Sequence, residues 1–194
     1  MGTFTIQDVR SRAQEATAFA KKTAAVALAE DVRAQDARTG EYDVFLSHAF
    51  KDAELIVGIK RKLEKEFGYS VYVDWIDDSQ LDRSKVTSAT AELLRARMKR
   101  CRCLFYAVTP NCVLSKWMPW ECGYFDGKKN RVAILPLTER ATVNYAGQEY
   151  LGVYPYITES PATGETKNQL WVRRSSNEYC TLTYWLGGGE PTKR

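Results

Sequence analysis

Glu121 stands four residues after Trp117 in the stretch Ser115-Lys116-Trp117-Met118-Pro119-Trp120-Glu121. On a helix that spacing sets a carboxylate and an indole on one face, one turn apart. A carboxylate so placed can stabilise positive charge as it develops on a reacting carbon, and the indole can wall a flat ligand. Upstream, Tyr42-Asp43-Val44-Phe45-Leu46-Ser47-His48-Ala49-Phe50-Lys51-Asp52 reads as a buried strand that stops at a small polar turn and opens into a helix. In an open α/β sheet, ligands bind at such junctions, outside the carboxyl ends of the strands. Ser47 can donate to a sugar or phosphate oxygen there, and Phe50 can stack on a base. His48 is the only histidine; no Ser-His-Asp order is legible, so it reads as a polar loop residue of the crevice rather than a catalyst. Asp74 and Trp75 end a second strand and line the same crevice, while Asp43 braces the start of the first. Each residue also has a plainer reading: most glutamates lie on helix surfaces, and at least one of Trp117 and Trp120 is expected to be core packing.

The elements that must position these groups follow from periodicity. Residues 5–38 read as a helix opened by Thr5 and Asp8, a capping-box-like pair. Its stripe of Ile6, Val9, Ala13, Ala16, Ala20, Thr23 and Ala27 suits either packing on the side of the domain or a contact between protomers. From Tyr42 the period changes. Strands are predicted at Tyr42–Ser47, Ser70–Trp75, Cys101–Val108 and Val132–Leu137, with a fifth near Tyr150–Ile157. Helices are predicted at Asp52–Phe67, Ser84–Lys99 and Ser115–Phe125, the last broken near Gly127. The segment 76–83 is a polar loop, Tyr179–Leu186 docks as strand or helix, and residues 187–194 form a flexible tail. Strands alternating with helices at this spacing predict a parallel sheet covered on both faces.

Composition narrows the function. The chain has 194 residues, 44% of them hydrophobic, and a net charge of +4 from 28 basic and 24 acidic residues. That supports one folded domain with extensions, and the near balance of charge gives no footprint for nucleic acid. The five cysteines include no C-x-x-C pair, so neither a zinc site nor a disulfide framework is expected, and Cys101 and Cys103 read as core thiols on one strand face. No apolar run approaches the ~20 residues that span a bilayer. A cytoplasmic protein without metal, nucleic-acid or membrane partners is the expectation. Neither G-x-G-x-x-G nor G-x-x-x-x-G-K-[ST] occurs, which disfavours a redox Rossmann enzyme or a nucleoside triphosphatase.

The box Tyr42-Asp43-Val44-Phe45-Leu46-Ser47-His48, followed by Lys51-Asp52, resembles the first signature of TIR (Toll/interleukin-1 receptor) domains. Ser115-x-Trp117-x-x-x-Glu121 resembles that family's Ser-x-Trp-x-x-x-Glu element, and the 75–83 segment falls where the family carries a mobile loop. The resemblance runs from Tyr42 to about Leu186, giving an N-terminal helical extension (1–40), a TIR domain (41–186) and the tail (187–194). It implies a flavodoxin-like parallel five-stranded sheet of order 2-1-3-4-5. It also implies an enzyme of the bacterial type that consumes NAD as substrate and needs no cofactor. Glu121 would be the catalytic residue, with Trp117, Ser47, His48, Phe50, Asp74 and Trp75 binding substrate. One carboxylate can suffice, because nicotinamide is cationic in NAD and leaves neutral, so no acid need protonate it. The layout is similar to that of the signal-producing TIR proteins of Thoeris anti-phage defence, which implies a cyclic or modified ADP-ribose product read by a separate effector. Self-association through the 75–83 loop is implied as well. The rival expectation is a non-enzymatic TIR scaffold or a host-mimicking effector; a flavodoxin-like receiver or FMN protein lacks its acidic cluster and phosphate loop.

Overall fold

The computed structural model describes residues 2–20, 23, 24, 26, 40–73, 87–142, 144 and 149–194. Among them are nine strands in one sheet: β1 (Phe4–Thr5), β2 (Tyr42–Ser47), β3 (Val71–Val73), β4 (Cys101–Val108), β5 (Val132–Thr138), β6 (Tyr156–Pro161), β7 (Asn168–Arg173), β8 (Glu178–Thr181) and β9 (Thr192–Lys193). The helices are α1 (Ile6–Ala20), α2 (Ala53–Lys65), α3 (Ser88–Lys99), α4 (Trp117–Lys129) and α5 (Leu182–Leu186). Strands β3-β2-β4-β5-β6 are parallel and adjacent in that order. This is the expected 2-1-3-4-5 arrangement.

Alternation along the strands builds two cores. Val44 and Leu46, Cys103 and Phe105, and Ala133 and Leu135 pack with α1 and α2. Phe45, Leu104, Tyr106 and Ile134 pack with α3 and α4. Because side chains on a strand point to opposite faces with a period of two, Ser47 shares the face of Phe45 and is directed at α4. All five cysteines are buried and free. Cys101 and Cys103 do not share a core as expected: Cys103 lies under α1 and α2, while Cys101 lies with α3 and α4. At the strand's start the Cys101 thiol turns toward the carbonyl of Arg97, 3.5 Å away.

Several boundaries differ from the reading of the sequence. The fifth parallel strand starts at Tyr156, not Tyr150, and Glu149–Val153 is a 3-10 turn. The sheet then continues antiparallel through β7, β8 and β9. Tyr179–Leu186 supplies both strand and helix, and the tail is tied down where Thr192 pairs with Tyr179. Helix α4 runs through Gly127 to Lys129 and stops where Asn130 adopts φ 48°, its N–H on the Asp126 carbonyl. The second strand is described over Val71–Val73, and the end of its expected span, Asp74 and Trp75, lies with the 75–83 loop outside the described residues.

The N-terminal segment is built into the sheet rather than laid beside it. β1 pairs in parallel with the end of β5, Phe4 opposite Leu137, and Gly2 exchanges both backbone hydrogen bonds with Glu159 of β6. Thr5 caps α1, accepting from the Asp8 N–H at 3.2 Å. Ile6, Val9 and Ala13 are buried against the domain, as the packing reading of the stripe expects, but Thr23 is exposed and its neighbour Ala24 packs on the core instead. Where the two helices cross, Gly58 of α2 lets the α1 backbone approach so closely that a Cβ there would stand 2.0 Å from the Val9 carbonyl oxygen.

Beneath this crossing Lys62 is buried, its ammonium 2.8 Å from Asp8 of α1, 3.4 Å from Glu66 and 3.2 Å from Glu159 of β6. Burial opposes charge on Lys62, but these carboxylates outweigh it and hold its pKa above the usual value. One cation thus clamps α1, α2 and β6. Replacing it leaves Glu159 without its counter-charge, while Arg12 still pairs with Asp8 and Glu66. Lys62→Met is expected to lower stability by about 2 kcal/mol, a figure reduced for the solvent that reaches Asp8 and Glu66. Urea unfolding of the two proteins measures it.

Candidate active site

Glu121 lies on the inward stripe of α4, with Trp117, Met118, Cys122 and Phe125. It is 1% exposed, a burial that surface glutamates do not show. Its Oε2 accepts a 2.5 Å hydrogen bond from the Ser47 hydroxyl. Ser47 closes β2, so the carboxylate hangs at the carboxyl end of the parallel sheet, where ligands of this architecture bind. The helix that carries it is started by Ser115, whose Oγ accepts from the Met118 N–H at 3.3 Å. The serine of the Ser-x-Trp-x-x-x-Glu element therefore serves as a cap. Trp117 is buried beside Glu121 and meets Trp120 edge-on, and Trp120 stacks on Tyr124 beneath Arg95. Trp117 shares the inward stripe of the acid and is part of the buried core there, and Trp120 is partly buried against the edge of the same core.

The rim is less uniform. Phe50 is 57% exposed on the 3-10 turn Phe50–Asp52 that follows β2. His48 is buried, with Nδ1 3.0 Å from the Leu46 carbonyl. Since a carbonyl only accepts, Nδ1 carries the proton and donates it backward along the strand. Asp43 sits at the opposite end of β2, accepting from the Ser70 N–H and hydroxyl and from Arg102; it braces the sheet away from the crevice.

The chain is 45% identical over 174 residues to a protein named probable 3' cyclic ADP-D-ribose synthase ThsB', from Bacillus cereus (strain MSX-D12), a match covering 89% of this chain and 90% of that protein. The chain belongs to the ThsB' family of TIR-domain proteins. A second relative, named putative cyclic ADP-D-ribose synthase TIR2, from Cytobacillus dafuensis, is 34% identical over 84 residues, 43% of this chain and 22% of its own length. No protein-family model matches the chain.

In this TIR protein three residues at the mouth of the sheet make contacts that a reading of the sequence does not show. Asp52 is buried, and its two carboxylate oxygens accept from the Thr109 hydroxyl at 2.5 Å and from the Asn111 side-chain amide at 2.7 Å. The Thr109 oxygen in turn accepts from the Asn111 N–H at 3.1 Å. This joins the turn after β2 to the turn after β4. In the sequence Asp52 closes the first signature and opens a helix with no partner visible, and Thr109-Pro110-Asn111 stands as an ordinary strand stop. Among the described residues no group of three or more His, Cys, Asp and Glu side chains could hold a metal ion, and no helix is long and apolar enough to cross a membrane.

Proposed function

We propose that this TIR protein cleaves NAD at the nicotinamide–ribose bond and closes the ADP-ribosyl unit on itself, producing a cyclic ADP-ribose that acts as a signal in anti-phage defence. The observation that carries this reading is the buried Glu121 carboxylate, held by Ser47 at the carboxyl end of the sheet beside Trp117. The bond to nicotinamide breaks with its electron pair going to the ring nitrogen, which becomes neutral. Positive charge then develops at the anomeric carbon, and a fixed carboxylate in a site shielded from water stabilises it strongly. Ser47 holds the carboxylate in one orientation, so little reorganisation is needed as the charge appears. Trp117 forms a wall of the nicotinamide–ribose site. Phe50 receives a base on its exposed face, and His48 shapes the turn between them.

Ring closure requires an internal nucleophile. The name of the Bacillus cereus relative specifies a 3' linkage. The same linkage here would make a ribose hydroxyl the attacking group: a C–O bond forms at the anomeric carbon as the hydroxyl proton leaves. Cyclisation over hydrolysis then depends on a folded NAD that brings this hydroxyl nearer than water. A cytoplasmic setting, association of protomers and a separate effector that reads the nucleotide belong to the same proposal.

Incubating the purified protein with NAD, alone and with lysate from phage-infected cells, and resolving products by mass spectrometry tests it. Free nicotinamide and a product one water lighter than ADP-ribose are expected. ADP-ribose alone would make the protein a hydrolase. No loss of NAD under any condition would leave the non-enzymatic scaffold standing in its place.

A further inference from the structure

The Ser47–Glu121 hydrogen bond joins β2 to α4 at one point. Core packing of Trp117, Met118, Cys122 and Phe125 holds the helix on the sheet, but neither that packing nor one hydrogen bond fixes where its first turn begins. The second attachment is Asp52. Five residues beyond Ser47, it holds Thr109 and Asn111 through both carboxylate oxygens. Asn111 opens the 3-10 turn Cys112–Leu114, which runs directly into Ser115, the cap of α4. The circuit is closed: Ser47 to Glu121, back along α4 to Ser115, through the turn to Asn111, across to Asp52, and back to Ser47. Every link is a backbone connection or a short hydrogen bond.

We propose that Asp52 is a positioning residue for the cleavage site: through Thr109 and Asn111 it sets where α4 begins, and so where the Glu121 carboxylate stands relative to the strand mouth. This rests on the NAD-cleaving reading for its kinetic consequence but not for its structural one. Asp52 is itself buried beneath the turn, so it reaches the chemistry only through these partners. Both of its oxygens face side chains of the β4 exit rather than a backbone N–H of its own helix, and α2 starts without a side-chain cap from it. A capping role, the ordinary use of an aspartate at a helix start, is therefore absent, and the residue's hydrogen-bonding capacity is given to the junction between the two turns. The same junction holds the rim residue Phe50, two positions before Asp52, so the turn that receives the base and the helix that carries the acid are set by one carboxylate.

The test compares Asp52→Ala, Asn111→Ala, the double variant and Asp52→Asn. Displacement of a catalytic group by about 1 Å can cost about a hundredfold, and a loss of that order in kcat is expected for Asp52→Ala, with KM changed less than threefold. The double variant should be no worse than Asp52→Ala, since both remove one junction. Asp52→Asn should recover most of the loss, because an amide can accept from Asn111 and donate to the Thr109 hydroxyl. Amide exchange supplies a readout independent of NAD: residues 109–118 should lose protection in Asp52→Ala while β4 keeps its own. Unchanged exchange at 109–118 overturns the proposal, as does kcat within twofold of wild type in Asp52→Ala. Asp52→Asn as defective as Asp52→Ala also overturns it, since the charge would then act in the chemistry. If the wild-type protein leaves NAD intact, the functional reading fails and the exchange result still decides the role of Asp52.

Discussion

Glu121→Gln is expected to lower the rate of NAD cleavage by about a thousandfold, the upper range for removing one preorganised electrostatic group. The amide keeps the shape of the side chain and can still accept from Ser47, so the substitution removes the charge and little else. The loss should fall on kcat, because charge at the anomeric carbon exists in the transition state and not in bound NAD. Stability should hold or rise: an amide is easier to bury than a carboxylate at a residue 1% exposed. The combination is diagnostic. A merely structural Glu121 would lower activity and melting temperature together, whereas a catalytic one separates them. Nicotinamide release and thermal melting of the same preparation supply both measurements, and cleavage that survives the substitution would remove Glu121 from the mechanism.

The second large effect is on the fold. Alanine favours helix over glycine by up to ~1 kcal/mol, so glycine-to-alanine changes in helices usually stabilise. At Gly58 the sign should reverse. The new methyl would be driven to 2.0 Å from the Val9 carbonyl oxygen and 2.9 Å from its side chain, and α1 must lift away from α2. Overpacking of this severity costs about 3 kcal/mol, or roughly 10 °C in a domain of this size. Gly127→Ala in α4 is the internal control, since nothing lies within 4 Å of a Cβ placed there; it should raise stability slightly. Differential scanning calorimetry on the two variants is sufficient. Equal shifts in the two would mean that the helix crossing does not depend on close approach at Gly58.

The contrast between those two glycines shows what a sequence can carry. In the sequence Gly58 stands inside a helical pattern and Gly127 reads as a break after one; in the structure both lie within helices, and only the partner helix tells them apart. What was legible is local in the chain. Ser47 follows directly from the strand it ends, and Glu121 from its spacing to Trp117 and Ser115. The five parallel strands are short runs of Val, Phe, Leu, Tyr and Cys bounded by polar turns, so their order followed once a family pattern was attached. What was missed is long in sequence and short in space. Asp52 meets Thr109 and Asn111 across 57 and 59 positions, and Lys62 meets Asp8 across 54. No period or spacing encodes such pairs. Lys62 did leave a trace, as a lysine beside the apolar face of an amphipathic helix, but its partners lie on other elements. Two-residue strands such as β1 and β9 are too short to show alternation at all, and they take their structure from the edges they join. The late boundary of β6 has a similar origin: Tyr150–Tyr154 is aromatic enough to read as strand, yet Leu151 and Tyr154 pack on the α4 side as a turn.

The buried cysteines have a practical use. Burial lifts the thiol pKa of Cys101 to about 12 and those of Cys122 and Cys180 to about 11, and pushes Cys103 well above its usual value; Cys112 is covered with them. Electrophiles that need an exposed thiolate therefore meet an inert surface. A cysteine introduced at Val113, 78% exposed on the turn that leads into α4, would be the one sulfur such reagents reach. The native protein is in effect already a cysteine-free background for site-directed labelling, and a fluorophore at that position would report from within the junction between the two turns.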